Sequence, residues 1–220
     1  MQHHYTFLHE LSQLNKKLLK MSALVEDRVR RAAKLIETKD RAAIQALILS
    51  DYEVDDMEIE IEEDCLKILA LHQPVARDLR FLVSVIKINN ELERIGDIAV
   101  NIAKRIDNIS KFNHPAAITY DFSTMTEKVT AMLKKSIDAL VNNDTKLARS
   151  IFLDDDVVDK CRNRCYEDIK TRITKDPDHP GYHINTYLLA RHLERIADRA
   201  VNIAEEVIYS VEGTITRHNN

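Results

Sequence analysis

The segment LERIGDIAVNIA at residues 92–103 returns as LERIADRAVNIA at 193–204, unchanged at ten of twelve positions. A 220-residue chain that repeats itself at a displacement of 101 is built as two copies of one unit. A second echo supports this: DYEVD at 51–55 resembles DDVVD at 155–159, displaced by 104. The unit is helical. The chain holds only 3 Gly and 4 Pro, the two residues that most strongly break helices.

The prolines mark the joints. Pro74 stands in LHQPVARD, Pro115 in KFNHPAAI, and Pro177 and Pro180 in TKDPDHPGYH. Between them apolar residues recur at three-four spacing, the signature of amphipathic helices. The pattern predicts helices over about 5–37, 40–71, 75–110, 118–143, 145–174 and 181–212, with Asp40 and Asp144 as N-caps. Rods of some thirty residues, about 45 Å long, bury their apolar stripes by lying side by side. The expected fold is therefore all-α: six long helices forming two tandem three-helix-bundle repeats about a pseudo-twofold axis. The first repeat is placed at 1–112 and the second at 113–220.

The repeated segment carries a polar ladder. On the third helix Leu92, Ile95, Ala99, Ile102 and Ile106 make the packed stripe, and Glu93, Asp97 and Asn101 stack one turn apart on the other side. The sixth helix repeats this with Leu193, Ile196, Ala200, Ile203 and Val207 against Glu194, Asp198 and Asn202. A solvated face explains any one such ladder. It does not explain why the same three residue types return in the same order.

The preceding helices supply a matching set. DYEVDDMEIEIEED at 51–64 holds nine acids and no base, and within it Asp51 and Asp55 are four apart, as are Asp155 and Asp159. Folding each pair of helices back at its proline turn brings residues equidistant from the turn level. Asp51 comes level with Asp97 and Asp55 with Glu93, both pairs centred on residue 74. Asp155 comes level with Asp198 and Asp159 with Glu194, centred beside Pro177. Four carboxylates at one height repel and raise one another's pKa unless a cation neutralises them. Oxygen donors without His or thiolate suit hard cations: Mg²⁺, Ca²⁺, Mn²⁺ or ferric iron. The rival is an ordinary ion-pair network with Arg77, Arg80, Arg94 or Arg195. No Glu-x-x-His occurs, which argues against a ferritin-like di-iron bundle. His179 and His183, beside Pro180-Gly181, read as incidental loop residues, and Cys161 and Cys165 as small core residues.

Several function classes drop out. A net charge of −4 gives no basic nucleic-acid surface. No apolar run reaches the ~20 residues of a membrane span, and the N-terminus lacks a signal-peptide core. Three Cys without a CxxC motif suit a reducing cytoplasm. There is no glycine loop to cradle phosphate and no nucleophile–base pairing, so an enzyme is not expected. The alternatives kept open are a metal-dependent phosphohydrolase and a metal store using the same acids.

HQPVARDLRFLVSVIKINNELERIGDIAVNIAKRI (72–106) and HLERIADRAVNIAEEV (192–207) closely resemble the two signature regions of the PhoU family. The resemblance covers nearly the whole chain, that family being a tandem duplication of a three-helix unit. It implies multinuclear iron or zinc clusters, or magnesium or manganese, on motifs of an acid, three residues, then Asp. The positions matched are Glu93/Asp97, Glu194/Asp198, Asp51/Asp55 and Asp155/Asp159, with Asn101 and Asn202 in the extended pattern. It also implies a cytoplasmic negative regulator joining the ATP-binding subunit of a phosphate ABC transporter to a membrane sensor histidine kinase. A homodimer is expected as well. One departure stands out: HPGYHINTYLLA replaces QPVARDLRFLVS in the second unit, so Arg77, Asp78 and Arg80 have no twins.

Overall fold

The computed structural model describes residues 2–112 and 120–217, with side chains from Tyr5 onward. The described residues form α1 (Gln2–Thr38), α2 (Arg41–Leu49), α3 (Tyr52–His72), α4 (Ala76–Ser110), α5 (Ser123–Asn142), α6 (Thr145–Lys175) and α7 (Pro180–Glu212). All six expected rods are present, the second drawn as two helices, α2 and α3. The joint expected at Pro115 lies outside the described residues, and so does the predicted start at 118 of the fourth rod. The repeat boundary set after residue 112 adjoins the same segment.

The helix ends follow from local chemistry. The Asp40 carboxylate accepts the Ala43 amide, and Asp144 accepts those of Lys146 and Leu147, as expected of N-caps. α3 stops at Gln73, whose left-handed backbone returns its amide to the Leu69 carbonyl just before Pro74. At the corresponding turn of the second repeat Asp176 binds His179 Nδ1 at 2.8 Å and His183 Nε2 at 3.0 Å. The two histidines therefore fasten the α6–α7 corner, and His183 is fully buried.

α4 and α7 are the central rods. α4 packs against α1, α2, α3 and α7, and α7 against α4, α5 and α6. Leu92, Ile95, Ala99, Ile102 and Ile106 are buried as predicted, as are Leu193, Ile196, Ala200, Ile203 and Val207. Burial extends further round each helix, to Ile98, Ala103, Ala197 and Ala204, because α4 and α7 also cover one another. Each buried Leu, Ile or Val contributes about 1.5–3 kcal/mol, so this double stripe is the main stabilising element. Cys65, Cys161 and Cys165 are free thiols in the same core.

α4 and α7 run antiparallel about a local twofold. Lys87 Nζ meets Glu206 Oε1 at 2.9 Å, and Asn202 Nδ2 meets Glu91 Oε2 at 3.2 Å. Lys87 precedes Gly96 by as many residues as Glu206 follows Ala197, and Glu91 and Asn202 are placed likewise. Gly96 and Ala197 are the repeat equivalents of one another, so the pseudo-twofold passes beside them.

The second rod breaks at Ser50 and Asp51, where the predicted helix 40–71 is interrupted. Ser50 N bonds Leu47 O, Glu53 N bonds Ser50 O and Val54 N bonds Asp51 O, three-residue closures that tighten the chain locally. The Ser50 and Asp51 carbonyls also accept from Arg28, a buried arginine of α1 with 1% of its surface exposed. The equivalent helix of the second repeat, α6, runs unbroken. Aligning Met21, Val25 and Val29 with the equally buried Met125, Val129 and Leu133 puts Met132 opposite Arg28. A methionine needs no acceptors, and α6 stays straight through Asp155.

Candidate metal centre

In the first repeat the α3–α4 hairpin brings Asp51, Asp55 and Asp97 together, each offering a carboxylate oxygen within 4.8 Å of the other two. Glu93 stands one turn from Asp97 on α4. Burial first, then Asp97, Asp55 and Glu58, holds its carboxyl above the usual carboxylate range. Glu58 on α3 is itself pushed up, by burial and then by Glu62 and Asp55. Asp51 and Asp97, expected at one height, thus lie within reach of each other, while Glu93 feels the charge of Asp55 and of a fifth acid, Glu58. The cation beneath the group is Arg28, with Nη1 3.8 Å from Asp51 Oδ1 and Nη2 3.7 Å from Glu53 Oε2. That Asp51 oxygen is shut off from solvent and receives no hydrogen bond. Gly96 lies beside the guanidinium, and a Cβ there would meet Val54 Cγ1 at 3.4 Å and Arg28 Nη1 at 3.7 Å, ordinary contact distances.

The second repeat gathers its acids differently. Asp155 is buried at 2% exposure, and Glu194 is buried too. Arg162 reaches between the helices, its Nη2 3.3 Å from Glu194 Oε1 and 3.7 Å from Asp159 Oδ1. Arg191 Nη1 takes the other Glu194 oxygen at 3.5 Å. Burial and then Asp159 raise the Asp198 carboxyl, while Arg199, Arg191 and Arg162 pull it the other way. Among the described residues, only the first repeat brings three carboxylate oxygens into mutual reach.

A family model described as the PhoU domain matches this chain twice, at residues 18–106 and 122–207. The chain belongs to the PhoU family. It is 32% identical over 208 residues to a Clostridium acetobutylicum protein named phosphate-specific transport system accessory protein PhoU homolog, covering 94% of each chain. The crystal structure of PhoU from Pseudomonas aeruginosa superposes with a TM-score of 0.90 at 34% identity, over 94% of this chain and 100% of that one. A Streptococcus pneumoniae structure, the phosphate transport system regulatory protein PhoU, gives 0.86 at 26% identity, over 96% and 99%. The two PhoU matches stand in tandem, in agreement with the internal repeat.

Within this PhoU fold the two asparagines part company with the carboxylates. Asn202 donates to Glu91 across the α4–α7 contact, beside Arg199 Nη1 at 3.2 Å from the same oxygen. Asn101 is half-buried one turn beyond Asp97, and no described hydrogen bond ties it to the acids. Of the arginines expected as rivals, Arg94 pairs with Glu91 at 3.7 Å and also draws the adjacent Glu93 carboxyl down, while Arg80 lies against Gly213 at the end of α7. The arginines that matter, Arg28 and Arg162, were missed as site residues, and so was Glu58. The signal was available in the repeat. At the displacement of 104 that relates Asp51 to Asp155, Glu58 falls opposite Arg162 and Arg28 opposite Met132.

The donor set of the first repeat suits a hard cation. It offers carboxylate oxygens only, one of them out of solvent beside the single buried arginine that faces five acids. The second set already has its positive charge built in.

Proposed function

We propose that the chain is a cytoplasmic accessory regulator of phosphate transport that carries a hard-cation site on its first repeat. In this reading it restrains phosphate uptake and keeps phosphate-starvation signalling silent while phosphate is plentiful. Its partners are the ATP-binding subunit of a phosphate ABC transporter and a membrane sensor histidine kinase, and it acts as a homodimer. End-to-end similarity to proteins named as accessory or regulatory parts of phosphate transport carries the reading.

The geometry supports a docking surface more than a reaction centre. Asp51, Asp55, Glu93 and Asp97 would hold the ion, and a bound Mn²⁺, Mg²⁺ or ferric ion would supply charge neutralisation and lock α3 to α4. No helix of the described residues is long and apolar enough to cross a membrane. Binding would then be to the cytoplasmic parts of membrane partners, steered by charge.

Affinity purification of the tagged chain from cells grown in high phosphate tests this directly. Recovery of the transporter ATPase or the kinase supports the regulator. Recovery of neither, with starvation genes unaltered on deletion, removes it. Metal-stimulated turnover of a phosphoester, abolished by Asp97→Ala, would move the assignment to the hydrolase class.

A further inference from the structure

The two acidic sets are repeat equivalents, yet of the positions where α3 and α6 differ in sign one adjoins them. Glu58 on α3 becomes Arg162 on α6. In the first repeat that position adds a fifth carboxylate beside Asp55 and Glu93. In the second it sends a guanidinium into the gap between α6 and α7, 3.3 Å from Glu194 and 3.7 Å from Asp159. Arg162 is not a surface residue that happens to lean inward: three-quarters of its side chain is covered, and its Nε is shut off from solvent. Glu194, with 9% of its side chain exposed, is gripped from the other side by Arg191. A metal ion entering here would have to displace one guanidinium and lie beside another, and unlike a proton an arginine's charge cannot be removed.

We infer that Arg162 is a built-in counter-cation that takes the place of metal in the second repeat, so that this chain loads cations at one of its two equivalent sites. The inference rests on the cation reading of the first repeat. It means that α3–α4 is the hairpin whose stability follows metal supply, whereas α6–α7 is fastened permanently. Arg28 makes the complementary point. It lies under the first set, turned to the Ser50 and Asp51 carbonyls, and the close ion pairs of the described residues put no guanidinium on Asp55, Glu93 or Asp97, although Arg94 acts on Glu93 and Arg28 on Asp55 from farther off.

The test is Mn²⁺ uptake by the chelator-stripped full chain, counted as loss of the free-ion EPR signal. The wild-type protein should lose its uptake in Asp55→Ala plus Asp97→Ala and keep it in Asp159→Ala plus Asp198→Ala. Replacing Arg162 by Glu, the residue its counterpart carries, should roughly double the uptake. Arg162→Gln, which keeps the shape and removes the charge, should raise it if the acidic variant folds poorly. Both Arg162 variants should gain melting temperature on Mn²⁺ addition beyond the wild-type gain. Equal losses in the two double-alanine variants would overturn the inference and leave the cation reading intact. No gain in either Arg162 variant would overturn it too. Uptake by the Arg162 variants alone, with none by wild type, would uphold the role of Arg162 and remove the first-repeat site.

Discussion

Replacing Asp97 by Asn should stabilise the metal-free protein and destabilise the metal-loaded one. Asp97 has an oxygen within 4.8 Å of oxygens on both Asp51 and Asp55, and Asp55 and Asp97 are exposed. Two unit charges at about 4 Å repel by about 1 kcal/mol in water and about 4 kcal/mol at the dielectric of a protein surface. Solvent screening favours the lower figure here, so relief of two such contacts is worth about 1–2 kcal/mol in the apo state. For a chain of this length that is a rise of about 2–8 °C in melting temperature. With Mn²⁺ at a hundred times its Kd the wild-type protein gains about 2.7 kcal/mol, most of which the variant forgoes. The order should therefore invert, with wild type ahead by about 1 kcal/mol. Thermal melts in EDTA and in Mn²⁺, at low salt, make the comparison. Raising NaCl to about 1 M shortens the screening length to about 3 Å and should shrink the apo difference to a few tenths of a kcal/mol. An Asp97→Asn variant that is less stable than wild type in EDTA and indifferent to Mn²⁺ would show that the acids are already neutralised, and the site reading would fail.

Gly96→Ala should stabilise by about 1 kcal/mol, since a Cβ there meets Val54 at ordinary contact distance and mid-helix Gly is unfavourable; a fall in the urea midpoint would refute it. Arg28→Met, which copies the second repeat, should destabilise by about 1–3 kcal/mol, because the Ser50 and Asp51 carbonyls lose the guanidinium and keep only the Glu53 and Val54 amides, while Asp51 and Glu53 can rehydrate. An unchanged midpoint would mean those carbonyls find water. Stability should fall as pH rises past roughly 8.5. Burial pushes the Cys65 and Cys165 thiols up to about 12 and raises Tyr120 and Tyr182 as well. All four then ionise first in the unfolded chain, so their contribution is whole below the ordinary thiol value and lost through the folded one. Urea midpoints at rising pH measure it, and a flat profile to about pH 10.5 would contradict the burial argument. Light scattering after size exclusion should return twice the chain mass, and a monomer at micromolar concentration would exclude the homodimer.

Spacing along the chain was enough for the long rods, apart from the break in the second at Ser50 and Asp51, for the twofold repetition and for the heights of the acids in the first repeat. Each of these rests on a periodic signal: apolar spacing along a helix, proline at a turn, a segment said twice. Asp51, Asp55 and Asp97 meet because equal distance from a turn is a property of numbering, and antiparallel helices respect it. What numbering cannot carry is the sign of the charge that another element inserts between them. Arg28 is one charged residue among many on α1 until folding buries it against the Ser50 and Asp51 carbonyls, at the point where the second rod is interrupted. Arg162 is an i+3 neighbour of Asp159 until α7 brings Glu194 within 3.3 Å and sets a guanidinium among the acids. Tertiary packing decided those two outcomes because a buried guanidinium must find acceptors wherever the fold supplies them. The same motif, written twice, thus became one open cluster and one closed ion pair.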